Sequence, residues 1–267
     1  MKEHFINTIS GKIFIKESGE GEPFLLIHGV LSSSDSFLPL LKSPPENVRM
    51  IALDLPGHGN STPSKQFTPD WQLYSDLIYE LAQKLNISNG FNLLGHSMGG
   101  GIAAYFAASN PKMIKKLILI DSLTGIFKLP LKGQIVQIPL IGDFIFKFLY
   151  NEKMFLNYFK TDVFYDASKI NESHVKTFYK KFNKNRELTL KAIRNTANQQ
   201  IIADKISDIQ SPTLIIWGEH DTLIPPHVSK STAATIKNST LKTVKNSGHS
   251  PIEESPDLTI PLIFKFL

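Results

Sequence analysis

Gly95-His96-Ser97-Met98-Gly99 reads Gly-x-Ser-x-Gly and lies between two segments of opposite character. Before it, Phe91-Asn92-Leu93-Leu94 is short and apolar, as a strand is; after it, Gly100-Gly101-Ile102-Ala103-Ala104-Tyr105-Phe106-Ala107-Ala108 is small and helix-tolerant. A serine on a sharp strand-to-helix turn takes a strained backbone that thrusts its Oγ out of the sheet. Glycines on both sides are expected, because a Cβ there would collide with a neighbouring strand or helix. Five such residues occur by chance easily enough. The strand before them and the helix after them make Ser97 a candidate nucleophile.

Working outward, Phe24-Leu25-Leu26-Ile27, Val48–Asp54, Leu117-Ile118-Leu119-Ile120 and Leu214-Ile215-Ile216-Trp217 are apolar runs without alternation. Strands buried on both faces of a parallel sheet look like this. His4–Thr8 and Lys12–Glu17, joined at Ser10-Gly11, read as an opening hairpin, and Leu241–Lys245 reads as a last strand. Thr68-Pro69-Asp70 predicts a helix with Thr68 as N-cap and Pro69 as its first residue, followed by Leu73, Leu77, Ile78, Leu81 and Leu85 at helical spacing. Strands alternating with helices predict an α/β fold, a mostly parallel sheet with helices on both faces. After Asp121 the next strand is about 90 residues away, too far for a structureless loop. The expected organisation is a core domain from 1–123 and 205–267 with a helical lid inserted at 124–204.

The length of 267 residues suits one large domain or a core with an insertion, and the chain contains no cysteine. Disulfides, thiolate zinc sites and thiol nucleophiles are thereby excluded. The net charge of +5 comes from lysine far more than arginine in a chain also rich in asparagine and isoleucine, a pattern that genome composition explains. No nucleic-acid motif accompanies it, so no nucleic-acid partner is expected. The stretch Met1-Lys2-Glu3-His4-Phe5-Ile6-Asn7 lacks a basic segment followed by an apolar one, and no run approaches about 18 apolar residues. A cytoplasmic protein without an integral membrane segment is the expectation.

A serine hydroxyl needs a base in hydrogen-bond reach, and the base needs an orienting acid. In open α/β sheets such groups gather beyond the carboxyl ends of the strands. Asp221 follows the Leu214–Trp217 strand by a tight turn, and His249 follows the last strand within Asn246-Ser247-Gly248-His249. The chain order Ser97, Asp221, His249 suits this architecture. Asp121 is the rival acid, its alternative being a cap on the segment that follows. His28 and His58, each beside a glycine, read as structural hydrogen-bonders, and His96 as a packing or orienting neighbour of Ser97. His220 is expected to point away from the site, and His174 and His227 to lie on the surface. A developing oxyanion needs backbone donors. Met98 N–H is one; Val30 N–H, after the Phe24–Ile27 strand, is the first choice for the other and Leu31 N–H the second.

These motifs together resemble the α/β-hydrolase superfamily, in particular its small lidded serine esterase-like members. His28-Gly29 is similar to the family's oxyanion turn, and Asp54-Leu55-Pro56-Gly57-His58-Gly59-Asn60-Ser61 to its Asp-x-x-Gly-His/Tyr-Gly-x-Ser turn. Gly95–Gly99 matches the nucleophile elbow, Gly218-Glu219-His220-Asp221 with Pro225 the acid turn, and Gly248-His249 the base loop. The resemblance covers nearly all of the chain except the lid. It implies a catalytic Ser97–Asp221–His249 triad, an oxyanion hole from Val30 and Met98, and neither metal nor organic cofactor. Pro261 departs from the pattern, since it falls within the family's C-terminal helix and should kink that helix or make it begin late.

The lid carries Phe127, Phe144, Phe146, Phe148, Phe155, Phe159, Phe164, Phe178 and Phe182. Most are expected to form the lid's own core; Leu31, Phe127 and Phe159 are placed against the substrate, which favours an apolar acyl group. Ile141–Tyr150 offers a second reading, a stretch resting on a membrane surface. Lysine and arginine greatly outnumber acids in the lid, most densely at Lys176, Lys180, Lys181, Lys184 and Arg186. Solvated helix faces account for such a run. The sharper reading is a dock for an acidic acyl carrier protein, as the resemblance to pimeloyl-acyl-carrier-protein methyl esterases implies. The expected activity is hydrolysis of a small-molecule carboxylic ester or thioester through an acyl-enzyme. Carbon–carbon bond hydrolysis and a non-catalytic small-molecule receptor are the alternatives that this fold leaves open.

Overall fold

The apolar runs build one sheet. In the computed structural model, which describes residues 1–267, its strands are β1 (Lys2–Thr8), β2 (Gly11–Ser18), β3 (Glu22–Ile27), β4 (Val48–Leu53), β5 (Thr62–Pro63), β6 (Phe91–His96), β7 (Ile114–Ile120), β8 (Thr213–Gly218) and β9 (Ser239–Val244). Their order is β1-β2-β4-β3-β6-β7-β8-β9, with β5 pairing β2 off this path. The β1–β2, β2–β4 and β2–β5 pairs are antiparallel, and every pair from β4 to β9 is parallel.

The helices are α1 (Leu38–Leu41), α2 (Trp71–Lys84), α3 (Met98–Ser109), α4 (Leu131–Gln137), α5 (Ile141–Phe144), α6 (Glu152–Tyr158), α7 (Glu172–Asn183), α8 (Arg186–Asn195), α9 (Gln200–Lys205), α10 (His227–Thr235), α11 (Pro251–Glu254) and α12 (Pro256–Phe266). All six residues of β6 and of β8 are buried, which is why neither alternates in sequence. One face of the sheet sends Leu25, Ile27, Leu93, Leu117, Leu119 and Ile215 against α2 and α3. The other sends Phe24, Leu26, Leu94, Ile118, Ile120 and Ile216 against α1 and α12.

Two local expectations are corrected. The N-cap of α2 is Asp70, not Thr68: its extended backbone (φ −152°) turns its carboxylate onto Leu73 N–H at 2.7 Å, and Thr68 and Pro69 stay outside the helix. Pro261 neither delays nor ends α12, which begins at Pro256 and runs to Phe266. A proline at this position has no N–H to give to Asp257 O, in the first turn. Thr259 meanwhile bonds Pro251 O at 2.9 Å, and Ile263 is wholly buried.

Between β7 and β8 the chain is helical, from α4 to α9. Six of its phenylalanines (146, 155, 159, 164, 178 and 182) form an apolar cluster, which Leu31 from the loop after β3 also joins. Phe127 goes to the main core instead, and Phe144 and Phe148 are exposed.

Parallel registers align the strand ends. Ile27 is opposite Gly95, His96 opposite Ile120, Ile120 opposite Ile216, and Gly218 opposite Val244. The segments after β3, β6, β7, β8 and β9 therefore leave the sheet at one edge, each carrying a residue singled out above.

Candidate active site

Ser97 sits between β6 and α3 with φ 56° and ψ −122°, a left-handed backbone strained for a residue with a Cβ. Its flanking glycines are there for space. A Cβ on Gly95 would lie 2.2 Å from Gly99 O, and one on Gly99 would lie 2.3 Å from Ile27 O.

Ser97 Oγ lies 2.8 Å from His249 Nε2, and His249 Nδ1 lies 2.8 Å from Asp221 Oδ2. The other Asp221 oxygen accepts the N–H groups of Leu223 (2.8 Å) and Ile224 (3.0 Å), which leaves Oδ2 for the histidine. A proton on Nδ1 donated to Asp221 leaves Nε2 as the acceptor of the Ser97 hydroxyl. All three residues are buried, so their contacts are shielded from competing water.

The base loop is held from three sides. His249 N–H donates to Val163 O at 2.7 Å, and His96 Nε2 donates to His249 O at 2.7 Å. Glu254 accepts Gly248 N–H at 2.6 Å and, with its other oxygen, Asp166 N–H at 2.7 Å. Burial first, and the neighbouring His249 second, push the His96 pKa down to about 3, so His96 stays a neutral donor.

The loop after β3 comes in close. A Cβ on Gly29 would stand 2.8 Å from Ser97 Cβ. The N–H groups of Val30, Leu31 and Met98 donate to no protein acceptor. Free donors thus adjoin Ser97 from its own helix and from this loop. The loop is fixed from below: His28 donates Nδ1–H to Gly29 O (2.7 Å) and accepts Leu55 N–H (3.0 Å). Burial holds the His28 pKa down at about 4. Asp54 accepts Ser34 N–H and Asn60 N–H, each at 2.6 Å, and so ties the loop to the turn after β4. His58 Nδ1 donates to Pro56 O at 3.2 Å, and burial lowers its pKa to about 3.

Of the other residues, some land elsewhere than expected and some where expected. Asp121 caps nothing; its Oδ1 accepts Gly218 N–H at 2.8 Å. His174 is not a free surface residue but lies half-buried over Phe178, 3.6 Å from Glu253. His220 stacks on Tyr165 at 3.9 Å, away from the relay, and His227 is exposed. Phe159 stacks on Phe155 within the cluster that includes Leu31, whereas Phe127 packs in the main core.

The five cations do not form one open face. Lys176, Lys180 and Lys184 are exposed, but Lys181 Nζ bonds Asp35 at 2.6 Å. Arg186 donates to Phe146 O, Tyr179 Oη and Asn183 Oδ1 and covers the Phe182 ring. Lys181 is thus paired with a carboxylate, and Arg186 is engaged by neutral acceptors and aromatic rings within the chain itself.

The model of the alpha/beta hydrolase fold family matches residues 22–256. This chain belongs to the α/β-hydrolase family. It is 30% identical over 254 residues to the uncharacterized hydrolase YugF of Bacillus subtilis, covering 92% of this chain and 90% of that protein. Against Lipase 1 of Psychrobacter immobilis it is 30% identical over 258 residues, covering 93% and 78% of the two chains. Its fold is also that of Cfl2 from Burkholderia cenocepacia, with a TM-score of 0.87 at 20% identity over 99% of this chain and 95% of that one.

In this α/β hydrolase the sequence pattern left out Glu254, which holds both the base loop and the inserted helices. Its one local signal is an acid five residues after His249 at the start of the C-terminal helices. The Lys16–Asp35–Lys181 ion cluster, with contacts of 2.9 and 2.6 Å, gave no local signal at all. No helix of the hydrolase is long and apolar enough to cross a membrane.

Proposed function

We propose that this α/β hydrolase is a serine esterase that cleaves carboxylic esters with an apolar acyl part through an acyl-enzyme. The carrying observation is the Ser97–His249–Asp221 relay, with both contacts at 2.8 Å, beside unpaired N–H groups. His249 Nε2 takes the Ser97 proton as Oγ attacks the carbonyl carbon, and the N–H groups of Met98 and Val30 receive the oxyanion. Asp221 holds the ring and stabilises the imidazolium. The tetrahedral adduct collapses, the alcohol leaves with the proton from His249, and Ser97 keeps the acyl group. Water then attacks the acyl carbon, giving its proton to His249, and Ser97 is restored as the acid departs.

Two observations support an apolar acyl site under a helical lid. Leu31, next to the proposed donor Val30, packs with Phe146, Phe155 and Phe159 of the inserted helices. The same insertion reaches the base loop through Val163 O. Relatives at about this distance include a protein named as a lipase, which agrees with ester chemistry.

The test is turnover of p-nitrophenyl esters from acetate to palmitate, with Ser97→Ala beside wild type and a fluorophosphonate probe for the adduct. Loss of turnover in Ser97→Ala and an adduct on Ser97 are expected. Unchanged turnover in that variant refutes the reading. Turnover of vinylogous diketones above that of any ester would place the enzyme among carbon–carbon hydrolases, and tight ligand binding without turnover would make it a receptor.

A further inference from the structure

Asp121 is wholly buried at the end of β7, and the mechanism above does not use it. Its backbone has φ 43°, and its N–H donates to Ile216 O at 3.1 Å. Its Oδ1 accepts Gly218 N–H at 2.8 Å, so the residue ties the end of β7 to the end of β8, from which the turn to Asp221 departs. Its Oδ2 is buried and has no partner. Oxygens of Asp121 and Asp221 and a nitrogen of His249 lie within 4.8 Å of one another.

Two buried carboxylates this close do not both ionise, because each charge raises the other's cost. The proton goes where the negative charge is worse solvated. Asp221 has three N–H donors, from Leu223, Ile224 and His249, whereas Asp121 has one. An ionised Asp121 would leave Oδ2 charged, dry and unpaired beside a second anion. A proton on Oδ2 turns the orphan acceptor into a donor, with the Asp221 carboxylate as the nearby acceptor. Burial, and then the Asp221 charge, drive the Asp121 pKa well above the usual carboxylate range, in the same direction.

We propose that Asp121 is a neutral carboxylic acid that donates a hydrogen bond to Asp221, a positioning residue for the Asp221–His249 pair. It rests on the serine-hydrolase reading only for its effect on rate. The bond fixes the plane of the Asp221 carboxylate against His249 Nδ1 and spreads the carboxylate's charge. Through Gly218 the same side chain also sets where the Asp221 turn begins. An amide offers the same donor and the same acceptor at this place; a methyl group offers neither.

The experiment compares Asp121→Ala and Asp121→Asn with wild type on a soluble aryl ester, reading kcat, KM and the pH profile. Asp121→Ala should lower kcat by about ten- to a hundredfold at nearly constant KM, the scale of one hydrogen bond to a charged group. It should also move the acid limb of kcat/KM upward, since an undispersed Asp221 charge holds the imidazolium more tightly. Asp121→Asn should restore kcat to within about threefold of wild type and return the limb to its place. If Asn loses as much as Ala, the side chain acts as an anion and the proposal fails. An Ala variant with unchanged kcat and unchanged limb also overturns it.

Should Ala not fold, carboxyl 13C NMR of wild type against Asp121→Asn decides. A protonated carboxyl at neutral pH, absent in Asn, is expected; an ionised one refutes the proposal. That signal does not depend on turnover, so failure of the serine reading in Ser97→Ala stays distinguishable from failure here.

Discussion

His249 donates its backbone N–H to the carbonyl of Val163 at 2.7 Å, so the base loop leans on the helical insertion between β7 and β8. Gly248 makes that approach possible: a Cβ there would lie 2.5 Å from Val163 O and 2.7 Å from Tyr165 N. Both obstacles are backbone, and neither can swing aside like a side chain. Gly248→Ala should therefore push the insertion off the loop, cost about 1–3 kcal/mol of stability and lower kcat at least about tenfold by misplacing His249. Denaturant melts and aryl-ester kinetics read the two effects. A variant of wild-type kcat would mean that the base loop does not need this support.

His96 holds the other backbone group of the same residue, donating Nε2–H to His249 O at 2.7 Å. In His96→Ala that buried carbonyl loses its partner, at a cost of about 1–3 kcal/mol. A drop in kcat of about tenfold with KM nearly constant is expected, since the loss falls on the base and not on the binding surface. Because the His96 pKa is pushed down to about 3, its own titration lies below the working range. The acid limb of the pH profile should stay where wild type has it, and a shifted limb would show that His96 takes up a proton during the reaction.

The sheet was legible because burial on both faces removes alternation, and runs such as Phe24–Ile27 and Leu117–Ile120 say so locally. Ser97 was legible for a related reason: the elbow demands Gly95 and Gly99 within five residues of chain. What escaped is set by distant partners. Asp35 meets Lys181 across 146 residues, and Glu254 meets Asp166 across 88. A lysine on a basic helix looks the same whether its acceptor is water or a folded carboxylate. Pro261 does not delay the start of α12, and the burial of Ile263 on the same helix is a tertiary fact that no local rule for proline counts.

The same difference separates neighbouring lysines of α7. Lys181 bonds Asp35, whose carboxyl it and Lys16 hold down to about 2 against the opposing effect of burial. Lys180 is exposed and unpaired. Lys181→Met should lower stability by about 1–3 kcal/mol, less than breaking an isolated buried pair, because Lys16 remains on Asp35. Lys180→Met should stay within about 0.5 kcal/mol. Chemical denaturation at neutral pH makes the comparison, and equal effects would show that the Asp35 contact contributes nothing. The Asp35 pairing is present above the ordinary Asp pKa and is lost as pH falls toward about 2. The gap between wild type and Lys181→Met should therefore close in acid.

Glu253 sets an opposite dependence in the neutral range. Its carboxyl receives the Ser250 hydroxyl at 2.8 Å and faces the His174 ring from α7 at 3.6 Å. Burial foremost drives its pKa up to about 7, with the Asp35 charge adding to the rise and the Ser250 bond opposing it. A carboxyl whose pKa is higher folded than unfolded binds more protons in the native state between the two values. Stability must then fall as pH rises, starting near the ordinary Glu pKa and finishing just above about 7. The full fall amounts to about 3 kcal/mol. The His174 ring is itself pushed down by burial, which favours its neutral form. Glu253→Gln keeps the shape, accepts the Ser250 hydroxyl and cannot ionise. Its unfolding free energy should match wild type near pH 4.5 and exceed it progressively toward pH 8, read by urea melts at each pH. Parallel curves for the two proteins would show that Glu253 does not titrate in this range.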